Sequence, residues 1–155
     1  MKKPNDQIIR ESIEYLEKNN ILTMATATLD GIPRADALEY ANDNLNVFVL
    51  SVRKSWKVSN ICKNHQVFYE VHHNLKIDIK SLKGIIGIQV EANAEIISQQ
   101  DSRFNKYFKI MEKKFPVFKN RLGLEKRVIL LFKPKKLWLL DYSKSFFHRD
   151  QINFE

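Results

Sequence analysis

The sequence predicts a mainly β fold, a β-barrel with peripheral helices. About six to eight short segments, rich in β-branched and aromatic residues, alternate with turn signals such as Asp30-Gly31 and Asn42-Asp43-Asn44. Most of these segments follow one another in hairpin order, which suits a closed antiparallel sheet. Helical periodicity is confined to the start of the chain and to two insertions. A length of 155 residues suits one domain, 1–155, with its own core. Ten Phe and five Tyr beside only four Gly and four Pro favour packed sheets over a disordered linker.

The elements follow in order. Asn5–Lys18 reads as an amphipathic helix, with Ile9, Ile13 and Leu16 at helical spacing beside Ile8, Ser12 and Tyr15. Asn5 or Asp6 can cap its start, and Asn19-Asn20 can end it because Asn tolerates the left-handed conformation. Residues 21–28 alternate Thr with small residues as a strand does. Asp30-Gly31 turns the chain, and Pro33 is tolerated at the head of the return strand 34–40. A third strand is expected over 45–51, a helix over 54–63 and a strand over 66–73. A short alternating segment follows at 76–81. Residues 85–97 read as a long strand, with Gly84 and Gly87 easing a bend. Asp101 can cap a helix over 102–114 whose face carries Phe104, Phe108 and Met111. Pro116 interrupts it, a further short helix reaches toward Leu122, and Gly123 closes that segment. Two last strands, 127–132 and 137–141, are expected around a turn Lys133-Pro134-Lys135-Lys136. Residues 1–4 and 143–155 read as tails.

The formal net charge is +8, and the surplus lies in 101–150, which holds 14 Lys/Arg against 5 Asp/Glu. Such a surface attracts nucleic acid, anionic lipid or phosphorylated ligands, or is simply a solvated lysine-rich helix. The only cysteine is Cys62, which rules out a disulfide within the chain and points to a reducing compartment. The start of the chain lacks an apolar run of signal-peptide length, and no run is long enough to span a bilayer. These observations lead to the expectation of a cytoplasmic protein with no membrane partner.

One stretch, 47–64, organises the chain. It reads as a buried strand that turns into a short helix, and the turn carries Ser51, Arg53, Lys54, Ser55 and Lys57. Two hydroxyls, three cations and the free N–H groups of a helix start suit a phosphate. The plainer alternative is a helix whose Ser55 caps its own backbone and whose lysines are solvated. Trp56 either shields a ligand or packs. Cys62, His65, His72 and His73 invite a metal reading. His72 and His73, however, are adjacent on a strand and point to opposite faces, and no second tight pair completes a zinc pattern. No metal site is therefore assigned. No Walker or dinucleotide glycine loop is present, and no Ser/His/Asp arrangement is suggested by spacing.

The order of these features resembles the pyridoxamine 5′-phosphate oxidase-like family of FMN-binding split barrels. The residues that carry the likeness are Ile21-Leu-Thr-Met-Ala-Thr26, Asp30-Gly31-x-Pro33, a third strand ending in Ser51, Ser55-x-Lys57 and Asn60-Ile61. Gly84-Ile-Ile-Gly-Ile-Gln89 and Phe132-Lys-Pro134-Lys-Lys-Leu-Trp138 agree with the later part, so the likeness covers about residues 5–142. It implies a homodimer with FMN in the interface cleft. On that resemblance Ser51, Ser55, Trp56 and Lys57 match the phosphate motif, with Arg53 and Lys54 on the same turn. Asp36, Ala37 and Leu38 match the strand lining the flavin ring, and Gln89 approaches it from the long strand. Family members often carry Arg where this chain has Asp36, which shifts the phosphate onto Arg53, Lys54 and Lys57.

Flavin chemistry resides in the cofactor, so no catalytic acid or base is nominated. The leading expectation is an FMN-dependent oxidoreductase acting on a small molecule, with a reduced nicotinamide as possible electron donor. Flavin reductase, nitroreductase-like and haem-degrading activities stay open. The residues 142–155 offer no match to the closing Arg- and Trp-bearing region of true pyridoxamine phosphate oxidases. A flavin-binding electron carrier or redox sensor without turnover is the alternative. A nucleic-acid-binding barrel is disfavoured because Phe104 and Phe108 have core spacing rather than a stacking arrangement.

Overall fold

The computed structural model describes residues 5–75, 80–120 and 123–154. Helix α1 (Asn5–Lys18) precedes a hairpin pair, β1 (Ile21–Ala27) and β2 (Pro33–Asp43), and then β3 (Asn46–Val52). Helix α2 (Trp56–Lys63) leads into β4 (Gln66–His72) and β5 (Ile86–Ile97). Helix α3 (Phe104–Lys114) and two 3₁₀ turns, Pro116–Asn120 and Leu124–Lys126, lead into β6 (Arg127–Asp141) and β7 (Arg149–Asn153). Of the expected segment 76–81, residues 76–79 lie outside the described residues, as does Leu122.

The strands are antiparallel in the order β3-β2-β1-β4-β5-β6-β7, and β3 also pairs with β6. The β3–β6 pairing closes six strands into a barrel, so those strands present no open edge. The turn expected between β1 and β2 holds Gly31 at φ 88, and the next holds Asn44 at φ 57, both left-handed positions that Gly and Asn adopt at low cost.

Two expectations for the end of the chain need correction. Residues 127–132 and 137–141 are not two strands about a turn but one continuous strand. Its one edge pairs with β3 over Arg127–Phe132 and with β7 over Lys136–Leu140, while β5 runs along the other. Lys133-Pro134-Lys135-Lys136 is where that edge changes partner. The register against β5 slips there, with Ala92 opposite Pro134 and Glu91 opposite Lys136, so Lys135 is the extra residue of a bulge. Proline is tolerated at bulges because the ladder is already broken. The second correction concerns the tail from 143: Arg149–Asn153 is a strand, with Asp150 and Ile152 buried and the alternate residues exposed. Five alternating residues bounded by a polar loop carry too little pattern to be separated from a loop.

The barrel interior is filled by Leu22, Met24, Tyr40, Tyr69, Val90, Leu130 and Phe132, all buried, with the Tyr69 and Phe132 rings 5.3 Å apart. Each such side chain contributes about 1.5–3 kcal/mol on burial. Helix α1 is anchored at its C-terminal end, where Leu16 O accepts a 2.7 Å hydrogen bond from the Tyr40 hydroxyl. The Lys114 ammonium donates to Asn19 O at 2.6 Å and lies 4.1 Å from the Tyr40 ring centroid, complementing the helix's negative end. Helix α3 starts two residues later than expected, after Asp101 Oδ1 accepts from Arg103 N at 2.9 Å. Its Phe104, Tyr107, Phe108 and Met111 form a second core with Phe48, Ile129 and Leu131 outside the barrel. No helix among the described residues is long and apolar enough to cross a membrane.

Candidate functional site

The strand-to-helix turn after β3 is fixed from both sides. Ser51 is buried and pairs with Val128; Val52 pairs with Arg127, and Arg53 N donates to Lys126 O at 2.8 Å, extending the ladder by one residue. Helix α2 then begins at Trp56, with Ser55 in extended geometry before it. The Ser55 hydroxyl makes no capping bond to the helix, so the self-capping alternative does not hold. It lies instead 3.4 Å from the Ser51 hydroxyl. The first intrahelical bond is Ser59 N to Ser55 O, 3.0 Å. The backbone donors of the preceding turn therefore have no acceptor within the helix.

The cations of the turn divide. Lys57 points to the barrel end, where its ammonium is 3.6 Å from Asp36 Oδ1; the two side chains are only 15% and 13% exposed. Asp36 also accepts from Arg34 Nε at 3.2 Å. The barrel-facing side of α2 continues this pattern of satisfied groups: Asn60 Nδ2 donates to Thr26 Oγ1 at 3.1 Å and Asn64 Nδ2 to Ala27 O at 3.3 Å. Arg53 and Lys54, by contrast, are exposed and make no ion pair among the described residues. They border two neighbouring hollows, one of about 320 Å³ with Ser55, Trp56, Ser59 and Cys62, the other of about 390 Å³ with Val52, Glu125 and Lys126. Trp56 is 73% exposed and does not serve as packing.

The remaining sequence-derived residues are on the sheet. Met24 faces Asp36 across β1–β2, and Leu22 faces Leu38, so Asp36 and Leu38 lie on the inward side. Leu38 is half-buried and packs against the barrel core. Ala37 is on the outer side. From it a cross-strand row runs through Thr23 and Glu70 to Gln89, then to Trp138 and Gln151. Gln89 is thus three strands from Ala37, about 14 Å at the usual spacing. Within one protomer it sits beside Trp138, whose indole donates to Gln151 at 3.0 Å, and not at the turn. The histidines are dispersed: His72 Nδ1 is 2.8 Å from Glu70, and His73 Nδ1 is 2.9 Å from the Tyr15 hydroxyl. Burial first, and then the charge of Glu70, push that hydroxyl up to about 12, so it stays protonated as the donor to Ile86 O.

Sequence reasoning missed Thr26 and Asn60, which tie α2 to the barrel end, and Lys126, which borders the separate hollow beyond Arg53. Lys126 arrives through the β3–β6 register, for which no local pattern exists. Thr26 and Asn60 are 34 residues apart and meet only when α2 covers the barrel end.

A model of the pyridoxamine 5′-phosphate oxidase family matches residues 9–141. Three solved structures share the fold. The haem storage protein HutZ of Vibrio cholerae has 17% identity and TM-score 0.68 over 81% of this chain and 88% of its own. ChuZ of Campylobacter jejuni has 14% identity and TM-score 0.76 over 98% of this chain, which spans 61% of its length. A protein of Listeria innocua, provisionally assigned as a pyridoxamine 5′-phosphate oxidase, has 14% identity and TM-score 0.68 over 86% and 98% of the two chains. No curated protein sequence matches the chain. With the family model spanning nearly all of the barrel, and with a six-stranded split barrel beneath it, the chain belongs to the pyridoxamine 5′-phosphate oxidase family.

Proposed function

We propose that the chain is an FMN-binding oxidoreductase acting on a small molecule, working as a homodimer with flavin at the interface. The observation that carries this reading is the pair of hydroxyls, Ser51 and Ser55, 3.4 Å apart beneath an uncapped helix start. A phosphate monoester needs several charge-assisted donors in one place. Ser51, Ser55, the first N–H groups of α2, Arg53 and Lys54 supply that chemistry. Lys57 contributes less than the sequence suggested, because Asp36 already neutralises part of its charge. Ala37 and Gln89, sharing the outer face of the sheet, are the side chains left to meet the ring system, and Trp56 is free to cover the phosphate. When bound, the flavin supplies hydride and single-electron transfer, and the protein positions it and excludes competing reactions.

The absorption spectrum of the purified protein, followed by an FMN titration, tests the proposal. A two-band flavin spectrum, or saturable uptake of added FMN by a dimer, is expected. A colourless monomer that leaves FMN free in solution would overturn it. Steady-state oxidation of a reduced nicotinamide separates an enzyme from a carrier or sensor, which would hold flavin without turnover. Haem is the competing ligand, because HutZ, a structural neighbour, is by name a haem storage protein. A Soret band with no flavin uptake would favour it.

A further inference from the structure

The hollow on the far side of Arg53 and Lys54 lies beyond the Ser51 and Ser55 hydroxyls, and three cations line it among the described residues. Its walls are Val52, Arg53, Lys54, Glu125 and Lys126, and its volume is about 390 Å³. The register explains how it forms. Val52 pairs with Arg127, and the next residues outward, Arg53 and Lys126, are joined by the 2.8 Å bond from Arg53 N to Lys126 O. Two cations are therefore held side by side at the end of a ladder, where like charges facing each other are unfavourable. Arg53, Lys54 and Lys126 are exposed and make no ion pair among the described residues. Among the described residues that line it, Glu125 is the one acid, which leaves the recess net positive. Arg53 and Lys54 also border the adjoining hollow of Ser55 and Trp56. Two anionic groups joined by one short linkage fit two recesses that share a cationic wall.

We propose that Arg53, Lys54 and Lys126 form a second anion subsite, next to the phosphate corner, that accepts the further phosphate of a pyrophosphate-bearing ligand such as a flavin dinucleotide. This rests on the reading that Ser51 and Ser55 hold the first phosphate. It adds a preference for a longer anionic ligand over a monophosphate, set mainly by Lys126.

The test compares FMN and FAD in parallel titrations of the full chain and of Lys126→Ala. Lys126 is exposed and lines no core, so its removal leaves the barrel intact. The expected result is FAD binding about tenfold tighter than FMN, the equivalent of one charge-assisted hydrogen bond, with Lys126→Ala erasing that margin and leaving FMN unchanged. Lys126→Arg should restore the margin and Glu125→Gln should widen it. Equal affinities in the parent protein, or equal losses for both flavins in Lys126→Ala, overturn the proposal. If neither flavin binds, the flavin reading falls, and inorganic pyrophosphate titrated into the same two proteins tests the subsite separately. Heat of binding that disappears in Lys126→Ala supports it, and no heat in the parent protein overturns it.

Discussion

The two faces of helix α2 differ in one respect that bears on function. On the barrel-facing side Val58 and Ile61 are buried, Asn60 is bonded to Thr26, and Lys57 is paired with Asp36. On the outer side Trp56 and Ser59 are exposed, as are Arg53 and Lys54 on the turn that leads into the helix, and the Ser55 hydroxyl is not used to cap it. Polar groups that the fold consumes internally stabilise architecture; those it leaves unconsumed at a concave corner are available to a ligand. Lys57, which the resemblance matches to a phosphate motif, is also the ion-pair partner of Asp36 in this structure.

If the barrel-facing side is architecture, substitutions there should unfold the protein. Ile61→Ala should destabilise it by about 2–5 kcal/mol in chemical denaturation, because the cavity left under α2 cannot close. Ser59→Ala, on the exposed side, should stay within about 0.5 kcal/mol. Similar small losses at both positions would show that α2 is only loosely docked and would remove the contrast. Next in size is Asn60→Ala. It leaves the buried Thr26 hydroxyl without its partner and should cost about 1–3 kcal/mol, a loss that Thr26→Val in the same background should partly recover.

How far this contrast was legible in sequence depends on which forces are local. The hairpin at Asp30-Gly31, the helix Asn5–Lys18 and the apolar face of α3 follow from turn chemistry and periodicity, so they read directly. The run 127–141 was misread because Pro134 and its lysines look like a turn, whereas the bulge that accommodates them is dictated by β5 on the opposite edge. The corner itself was half legible. Ser51, Ser55, Arg53 and Lys54 are within five residues and converge where the chain changes direction. The commitment of Lys57 to Asp36 spans 21 positions, and the addition of Lys126 spans more than seventy. No spacing rule encodes pairings of that range; only strand register does. Gln89 was assigned by resemblance and not by spacing, and within one protomer the sheet places it three strands from Ala37.

If the outer side binds the ligand as proposed, it makes the opposite demand: substitutions should change binding and leave stability alone. Replacing Arg53 and Lys54 together by Ala should weaken FMN binding about tenfold or more, with an unchanged melting temperature and a shallower salt dependence. A fall in melting temperature without loss of binding would move these residues to the architectural group. Asp36→Asn should act in the other direction. With the carboxylate gone, Lys57 becomes free to donate, and FMN affinity should rise severalfold, up to about tenfold. A weaker complex would mean that Asp36 itself contacts the ligand, and the division of Lys57 from the rest of the turn would have to be withdrawn.

The smallest effect tests the principle away from the corner. Glu95 on β5 is another internally consumed group: Arg103 Nη2 donates to it at 2.5 Å and the Lys133 ammonium is 2.7 Å away. The Arg103 bond first, then that of Lys133, holds its carboxyl down at about 2, below the ordinary value of about 4.3 for an unfolded glutamate. Because the folded-state value is the lower one, its contribution to stability is fully present above about pH 4.3 and disappears as the pH falls toward 2. The group is partly solvated, so the contribution is about 1 kcal/mol at most. Thermal unfolding of the parent protein and Glu95→Gln across that interval should show a gap that is open at pH 6 and closed near pH 2. Arg53, Lys54 and Lys126 make no ion pair among the described residues, and the flavin-binding defect of their variants should weaken as salt is raised. A gap for Glu95→Gln that persists to pH 2 would mean that packing of its side chain, rather than its charge, supports that edge of the barrel.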